Sequence, residues 1–243
     1  MGDLAVRTFT SAGPVDAPPV LLVHGFCSDG QTDWVDTGVA EALTAAGRTV
    51  VVPDLPGHGQ SPAPASAAET TAPVIAAALV AALDRAGIST FDAAGYSLGA
   101  RIAWELPVAA PGRVERTVLG GLAPGEPFTA VDIDALHAAV RDGSDPADPF
   151  TGMVAGMIRS QGERAAGLAL CVEGLRAVPF AGGAWNAKVP PVFILGENDE
   201  MTRGIGGLAE EIDGAELVTV PGAHHEVLGG AGFRDALLGA LAR

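Results

Sequence analysis

Ser97 sits between two glycines in Ala94-Gly95-Tyr96-Ser97-Leu98-Gly99, directly after an apolar, strand-like run. A serine hydroxyl is a poor nucleophile unless it is held exposed beside a base. A sharp strand-to-helix turn holds it that way. Such a turn strains the backbone and brings neighbouring chain close, which calls for residues without a Cβ on both sides. The chemistry needs three further parts: a base, an acid to orient it, and donors for the oxyanion. Gly196-Glu197-Asn198-Asp199 follows the run Val192-Phe193-Ile194-Leu195, and Pro221-Gly222-Ala223-His224-His225 follows Leu217-Val218-Thr219-Val220. A lone aspartate after a strand is more often a turn residue or a helix cap. Ser, Asp and His delivered in that order to one rim by three strand ends make a much rarer coincidence.

Each part has a defined task. An imidazole takes the serine proton during attack and returns it to the leaving group. A buried carboxylate fixes the imidazole tautomer and stabilises the imidazolium. Loss of one oxyanion donor costs about 3 kcal/mol or more. The Leu98 N–H is one such donor, and the loop after an early strand should supply the second. Val23-His24-Gly25-Phe26 ends such a strand, which assigns the second donor to the Phe26 N–H, with Cys27 next in line.

The elements that must position these residues show in the hydrophobic pattern. Val20-Leu21-Leu22-Val23, Thr49-Val50-Val51-Val52, Arg116-Thr117-Val118-Leu119 and the two runs above are near-continuous and rich in β-branched residues. That is the pattern of strands buried on both faces. Phe91-Asp92-Ala93-Ala94 is a weaker strand feeding the serine turn. Helical faces lie between: Val35, Val39 and Leu43 ahead of Gly47; Ile75, Leu79 and Leu83 ahead of Gly87; Phe233, Leu237 and Leu241 near the C-terminus. The alternation predicts an α/β architecture, a mostly parallel sheet with helices on both faces.

The alternation stops between about Gly125 and Trp185. Phe150, Met153, Val154, Met157 and Ile158 form one helical face there, Leu168, Cys171, Val172 and Leu175 another, and Val131 to Val140 a third helix. A helical insertion between strands of a parallel sheet predicts a cap over the sheet's carboxyl edge, where ligands bind. The domain reading is a core of residues 1–124 and 186–243 with a cap over 125–185. The Pro/Ala-rich stretch from Ser61 to Ala68 reads as a surface loop.

Composition sets outer limits. A length of 243 residues with 48% hydrophobic content suits one large, well-buried domain. Fourteen basic against 29 acidic residues give a formal charge of −15, which argues against nucleic acid or an anionic membrane as a partner. Cys27 and Cys171 are too few for a disulfide framework and lack metal-ligand spacing, so neither metal nor cofactor is expected. The N-terminus lacks a basic segment followed by an apolar one, and no apolar run reaches about 18 residues. A cytoplasmic monomer or homodimer is the expectation.

His24-Gly25-Phe26, Asp54-Leu55-Pro56-Gly57-His58-Gly59-Gln60-Ser61, Gly95 to Gly99, Leu195 to Asp199 and Pro221 to His225 resemble the successive motifs of the α/β-hydrolase superfamily. They occur in its order and over nearly the whole chain. The resemblance implies the serine-nucleophile branch, a cap inserted after the sixth strand, and structural roles for His24 and His58. The family usually closes its last motif with Gly then His, which aligns His225 with the base and puts His224 at the glycine. Some relatives carry the acid after the preceding strand, where this chain has Glu126, a distant alternative to Asp199. Relatives that open epoxides or displace halides use an aspartate nucleophile, and position 97 is not aspartate.

The implied activity is hydrolysis of a carboxylic ester, lactone or thioester of a small to medium, partly apolar acyl substrate through an acyl-enzyme. Phe150, Met153, Met157 and Trp185 are candidates for its apolar pocket. Arg101, four residues past the serine, resembles an arginine of the menaquinone-pathway synthase, a lyase of the same fold, although an ion-paired helix residue is the plainer reading. C–C hydrolysis and a ligand receptor on a hydrolase scaffold are the remaining alternatives.

Overall fold

Strand runs buried on both faces should gather into one sheet with helices above and below, and they do. The computed structural model describes residues 2–11, 13 and 17–242; Met1, at the head of the N-terminal segment read above, and residues 12, 14–16 and 243 lie outside the described residues. Among the described residues seven strands form a single sheet: β1 (Val6–Phe9), β2 (Val20–Val23), β3 (Val50–Pro53), β4 (Phe91–Tyr96), β5 (Val114–Gly120), β6 (Val192–Gly196) and β7 (Glu216–Val220). Their order is β1-β3-β2-β4-β5-β6-β7. Only β1 runs antiparallel, pairing with β3 from Val6 opposite Pro53 to Phe9 opposite Val50. The other pairs are parallel, so their carboxyl ends share one edge.

Residues of β2, β3 and β4 are buried throughout, and a fully buried Val or Leu side chain contributes about 1.5–3 kcal/mol. Helices α1 (Val39–Ala45), α2 (Ala72–Arg85), α3 (Leu98–Ala109), α7 (Ile205–Glu210) and α9 (Ala231–Ala242) connect or follow these strands. Leu21, Val23, Ile75 and Leu79 share one core cluster, while Val20, Leu22, Val39, Leu43, Phe233 and Leu237 share the other. Alternate β2 residues thus enter opposite layers. Val35 does not belong to α1: it closes a separate helical turn, Gln31–Val35, and Gly38 at φ 75° parts the two.

Between β5 and β6 lie α4 (Ile133–Asp142), α5 (Pro149–Arg159) and α6 (Ala165–Ala177). The insertion follows the fifth described strand, not the sixth. It rests on the sheet's carboxyl-edge loops: the Leu170 carbonyl accepts from the Thr70 hydroxyl at 2.8 Å, and the Cys171 thiol donates to the Pro56 carbonyl at 3.3 Å. No helix among the described residues is long and apolar enough to cross a membrane. The sheet's order reverses between β2 and β4, because β3 lies on one side of β2 and β4 on the other. A crevice opens at such a reversal beyond the strands' carboxyl ends.

Candidate active site

The turn from β4 into α3 takes place on Ser97, whose φ of 54° is one of two positive values among described non-glycine residues. That region is strained for an L residue by roughly 1–3 kcal/mol. Its N–H donates to the Gly120 carbonyl at 2.8 Å, and its carbonyl accepts from Arg101 N–H at 3.1 Å. The two flanking glycines are required by contact. A Cβ on Gly95 would lie 2.1 Å from the Gly99 carbonyl oxygen, and one on Gly99 only 1.9 Å from that of Val23.

Asp199 follows β6 and is 6% exposed. Its Oδ2 lies 2.7 Å from His224 Nδ1, and His224 Nε2 lies 3.0 Å from Ser97 Oγ. The contacts expected of His225 are therefore made by His224. After the Pro221-Gly222 turn a one-turn helix, α8 (His224–Val227), begins at once, and Glu226 Oε2 accepts the Ala223 N–H at 2.9 Å at its start. Successive helical residues point about 100° apart. When His224 turns toward the serine and is buried, His225 turns out and is exposed. Tyr96 reinforces this choice. Its hydroxyl donates to the His224 carbonyl at 2.5 Å, and its ring lies 5.3 Å from the imidazole. Burial pushes the Tyr96 pKa up, so the hydroxyl stays a donor. The family's usual spacing hid His224, because a contact that favours it comes from Tyr96, 128 residues away in sequence.

The loop after β2 faces the serine. Gly25 N–H donates to Asp33 Oδ2 at 2.7 Å. Phe26 packs edge-to-face on Phe128, which lies just after β5, with centroids 5.0 Å apart. Cys27 carries the second positive non-glycine φ, 56°. Leu98 opens α3, and the first N–H groups of a helix have no intrahelical acceptor.

The family model for the alpha/beta hydrolase fold matches residues 18–145, more than half of the chain. The chain belongs to the α/β-hydrolase family. Epoxide hydrolase 3 of Siraitia grosvenorii is 37% identical over 101 residues, 42% of this chain and 31% of that one. The 2-hydroxymuconate semialdehyde hydrolase of Pseudomonas sp. (strain CF600) is 35% identical over 105 residues, 43% of this chain and 36% of that one. The chain thus spans about a third of the length of these curated relatives. In structure it is similar to the enol-lactonase from Burkholderia xenovorans LB400, with a TM-score of 0.73 at 23% identity, covering 99% of this chain and 96% of that one. That likeness is one of fold.

Other residues singled out in this α/β hydrolase take different places. Arg101 is 6% exposed and committed internally: Nη1 donates to Glu105 at 2.5 Å, Nε lies 3.9 Å from Glu126, and the guanidinium covers the Phe180 ring at 4.9 Å. Glu126, the alternative acid, is spent in that cluster, and burial raises its pKa. Met153 and Met157 are exposed, because α5 buries Thr151, Val154, Ala155 and Ile158 instead. Phe150 is partly buried against the core. Trp185 packs on Trp104 at 5.2 Å and donates its indole N–H to the Val189 carbonyl at 2.7 Å. His137 pairs with Glu173 at 2.8 Å, linking α4 to α6.

His24 and His58 brace the loops around the site. His24 Nε2 accepts Leu55 N–H at 2.8 Å, so Nδ1 carries the proton and donates to the Gly25 carbonyl at 2.7 Å. His58 Nδ1 donates to the Pro56 carbonyl at 2.9 Å, and its Nε2 is buried without a partner among the described residues. Burial, with His24 adding to it, lowers the His58 pKa to about 3. The unfolded chain therefore takes up a proton below about pH 6.5 that the folded protein refuses, and stability falls as pH drops from there toward about 3. His58→Asn, which keeps a donor toward Pro56, should remove about 2 kcal/mol of the stability lost between about pH 7.5 and pH 5. Urea unfolding at both pH values checks this, and an unchanged pH dependence would contradict it.

Proposed function

We propose that this α/β hydrolase cleaves a carboxylic ester, lactone or thioester of a small to medium acyl substrate through a serine acyl-enzyme. The observation that carries the reading is the chain of contacts Ser97 Oγ–His224 Nε2 at 3.0 Å and His224 Nδ1–Asp199 Oδ2 at 2.7 Å. His224 takes the Ser97 proton as Oγ adds to the substrate carbonyl, and the oxygen gains charge between the Phe26 and Leu98 N–H groups. The imidazolium then gives its proton to the leaving alcohol or thiol. A water activated by the same imidazole releases the acid.

Serine at position 97 separates this reading from the epoxide chemistry named for one relative. An aspartate that opens an epoxide forms an ester that water can cleave, whereas a serine would form a stable ether. Internal pairing of Arg101 argues against its binding a substrate carboxylate, as the lyase alternative requires. In this reading residues 125–185 act as a cap on the core of 1–124 and 186–243, with Phe128 and Phe150 on its inner side and Met153 and Met157 off the pocket, and the enzyme works in the cytoplasm.

Turnover of p-nitrophenyl esters of increasing acyl length, beside an enol-lactone and a ring-cleavage semialdehyde, tests the proposal. Ester or lactone hydrolysis lost in Ser97→Ala is the expected result. Cleavage of the semialdehyde alone would move the activity to C–C bonds, and tight ligand binding without turnover would favour a receptor.

A further inference from the structure

We infer that Asp33 is a positioning residue for the oxyanion loop, holding the Phe26 N–H where the developing negative oxygen needs it; this rests on the serine-hydrolase reading above. Asp33 is 8% exposed and belongs to the helical turn Gln31–Val35, beside Trp34, which is fully buried. Its Oδ2 accepts Gly25 N–H at 2.7 Å and its Oδ1 accepts the Ser28 hydroxyl at 2.5 Å. The two bonds bracket Phe26 and Cys27. Cys27, held at φ 56°, is the kind of strained residue that persists only where its surroundings over-determine it. The tethered peptide also borders the nucleophile, since a Cβ on Gly25 would lie 3.5 Å from Asp33 Oδ2 and 3.7 Å from Ser97 Cβ. A shift at either anchor would move the Phe26 N–H relative to Ser97.

The sign of the effect separates position from charge. A carboxylate near the oxyanion site repels negative charge forming there, so if its charge governed the rate, Asp33→Leu would speed the reaction. Positioning demands the opposite. Leucine, close to aspartate in shape, has no acceptor, so neither anchor survives, whereas asparagine could keep both by donating its NH2 to the Ser28 hydroxyl.

The test pairs turnover of p-nitrophenyl butyrate with inhibition by 3-octylthio-1,1,1-trifluoropropan-2-one. Ser97 Oγ adds to the ketone carbon, its proton passes to His224 Nε2, and the carbonyl π pair becomes the hemiketal oxyanion. In Asp33→Leu, kcat should fall by about tenfold or more with KM within about twofold, and the ketone's Ki should rise in the proportion that kcat/KM falls. Ser28→Ala, which removes one anchor at a partly exposed hydroxyl, should shift kcat and Ki together by about threefold. Wild-type kcat and Ki in Asp33→Leu, or a change confined to KM, overturns the proposal. If Asp33→Leu does not fold, unchanged kcat and Ki in Ser28→Ala overturn it. Failure of the wild type to react with the ketone would overturn the hydrolase reading and this proposal with it, whereas normal wild-type reaction with an unaffected variant overturns this proposal alone.

Discussion

His224→Ala should lower kcat/KM for a p-nitrophenyl ester by at least about 10⁴-fold, while His225→Ala stays within about twofold of the wild type. The scale follows from removing the group that both takes the serine proton and delivers it to the leaving group. The contrast follows from geometry. Only His224 bridges Ser97 and Asp199, whereas His225 is exposed, its ring 5.5 Å from that of its neighbour. Asp199→Asn should cost somewhat less than His224→Ala, because the base remains but its tautomer is no longer held. Loss of activity in His225→Ala with retention in His224→Ala would show that α8 starts one residue later than described.

The second large effect is on folding. Gly99→Ala places a methyl 1.9 Å from the Val23 carbonyl oxygen, 2.5 Å from its carbon and 2.8 Å from the His24 carbonyl oxygen. All three are backbone atoms at the end of β2, where Val23 is in register with Gly95 of β4. Relief requires pushing α3 off the sheet or breaking that pairing. A loss above about 4 kcal/mol is expected, a large part of the roughly 5–15 kcal/mol that holds an ordinary domain together. Gly156→Ala makes the matched control. Gly156 lies exposed inside α5 with nothing within 4 Å of an added Cβ, so the change should stabilise by about 0.5–1 kcal/mol. Thermal unfolding of both variants decides; a Gly99→Ala protein as stable as the wild type would contradict the packing described.

The strands carrying the site were legible because burial on both faces leaves unbroken apolar runs such as Val20–Val23 and Val192–Leu195. β1 was not, since its residues alternate between partly buried and exposed at the sheet's edge. β4 looked weak because Asp92 interrupts it, and the cause lies far off in sequence: Asp92 is buried against Arg48 at 2.5 Å. The choice between adjacent histidines also depended on distant contacts, those of Tyr96 and of the turn before α8. The helix of Met153 and Met157 was found, but its inner face was misjudged. Hydrophobicity ranks methionine with core residues, whereas α5 turns the small Thr151 and Ala155 inward along with Val154 and Ile158. Nothing local to Arg101 announced Glu126 and Phe180, which arrive from the two ends of the insertion.

The most direct measurement is covalent labelling. The protein would be treated with a fluorophosphonate, digested, and the modified residue located by mass spectrometry in the wild type, His224→Ala and His225→Ala. One phosphonyl group on Ser97 is expected in the wild type and in His225→Ala, with labelling slowed at least about a thousandfold in His224→Ala. A label on any other residue, or equal labelling of Ser97 with and without His224, would contradict the account.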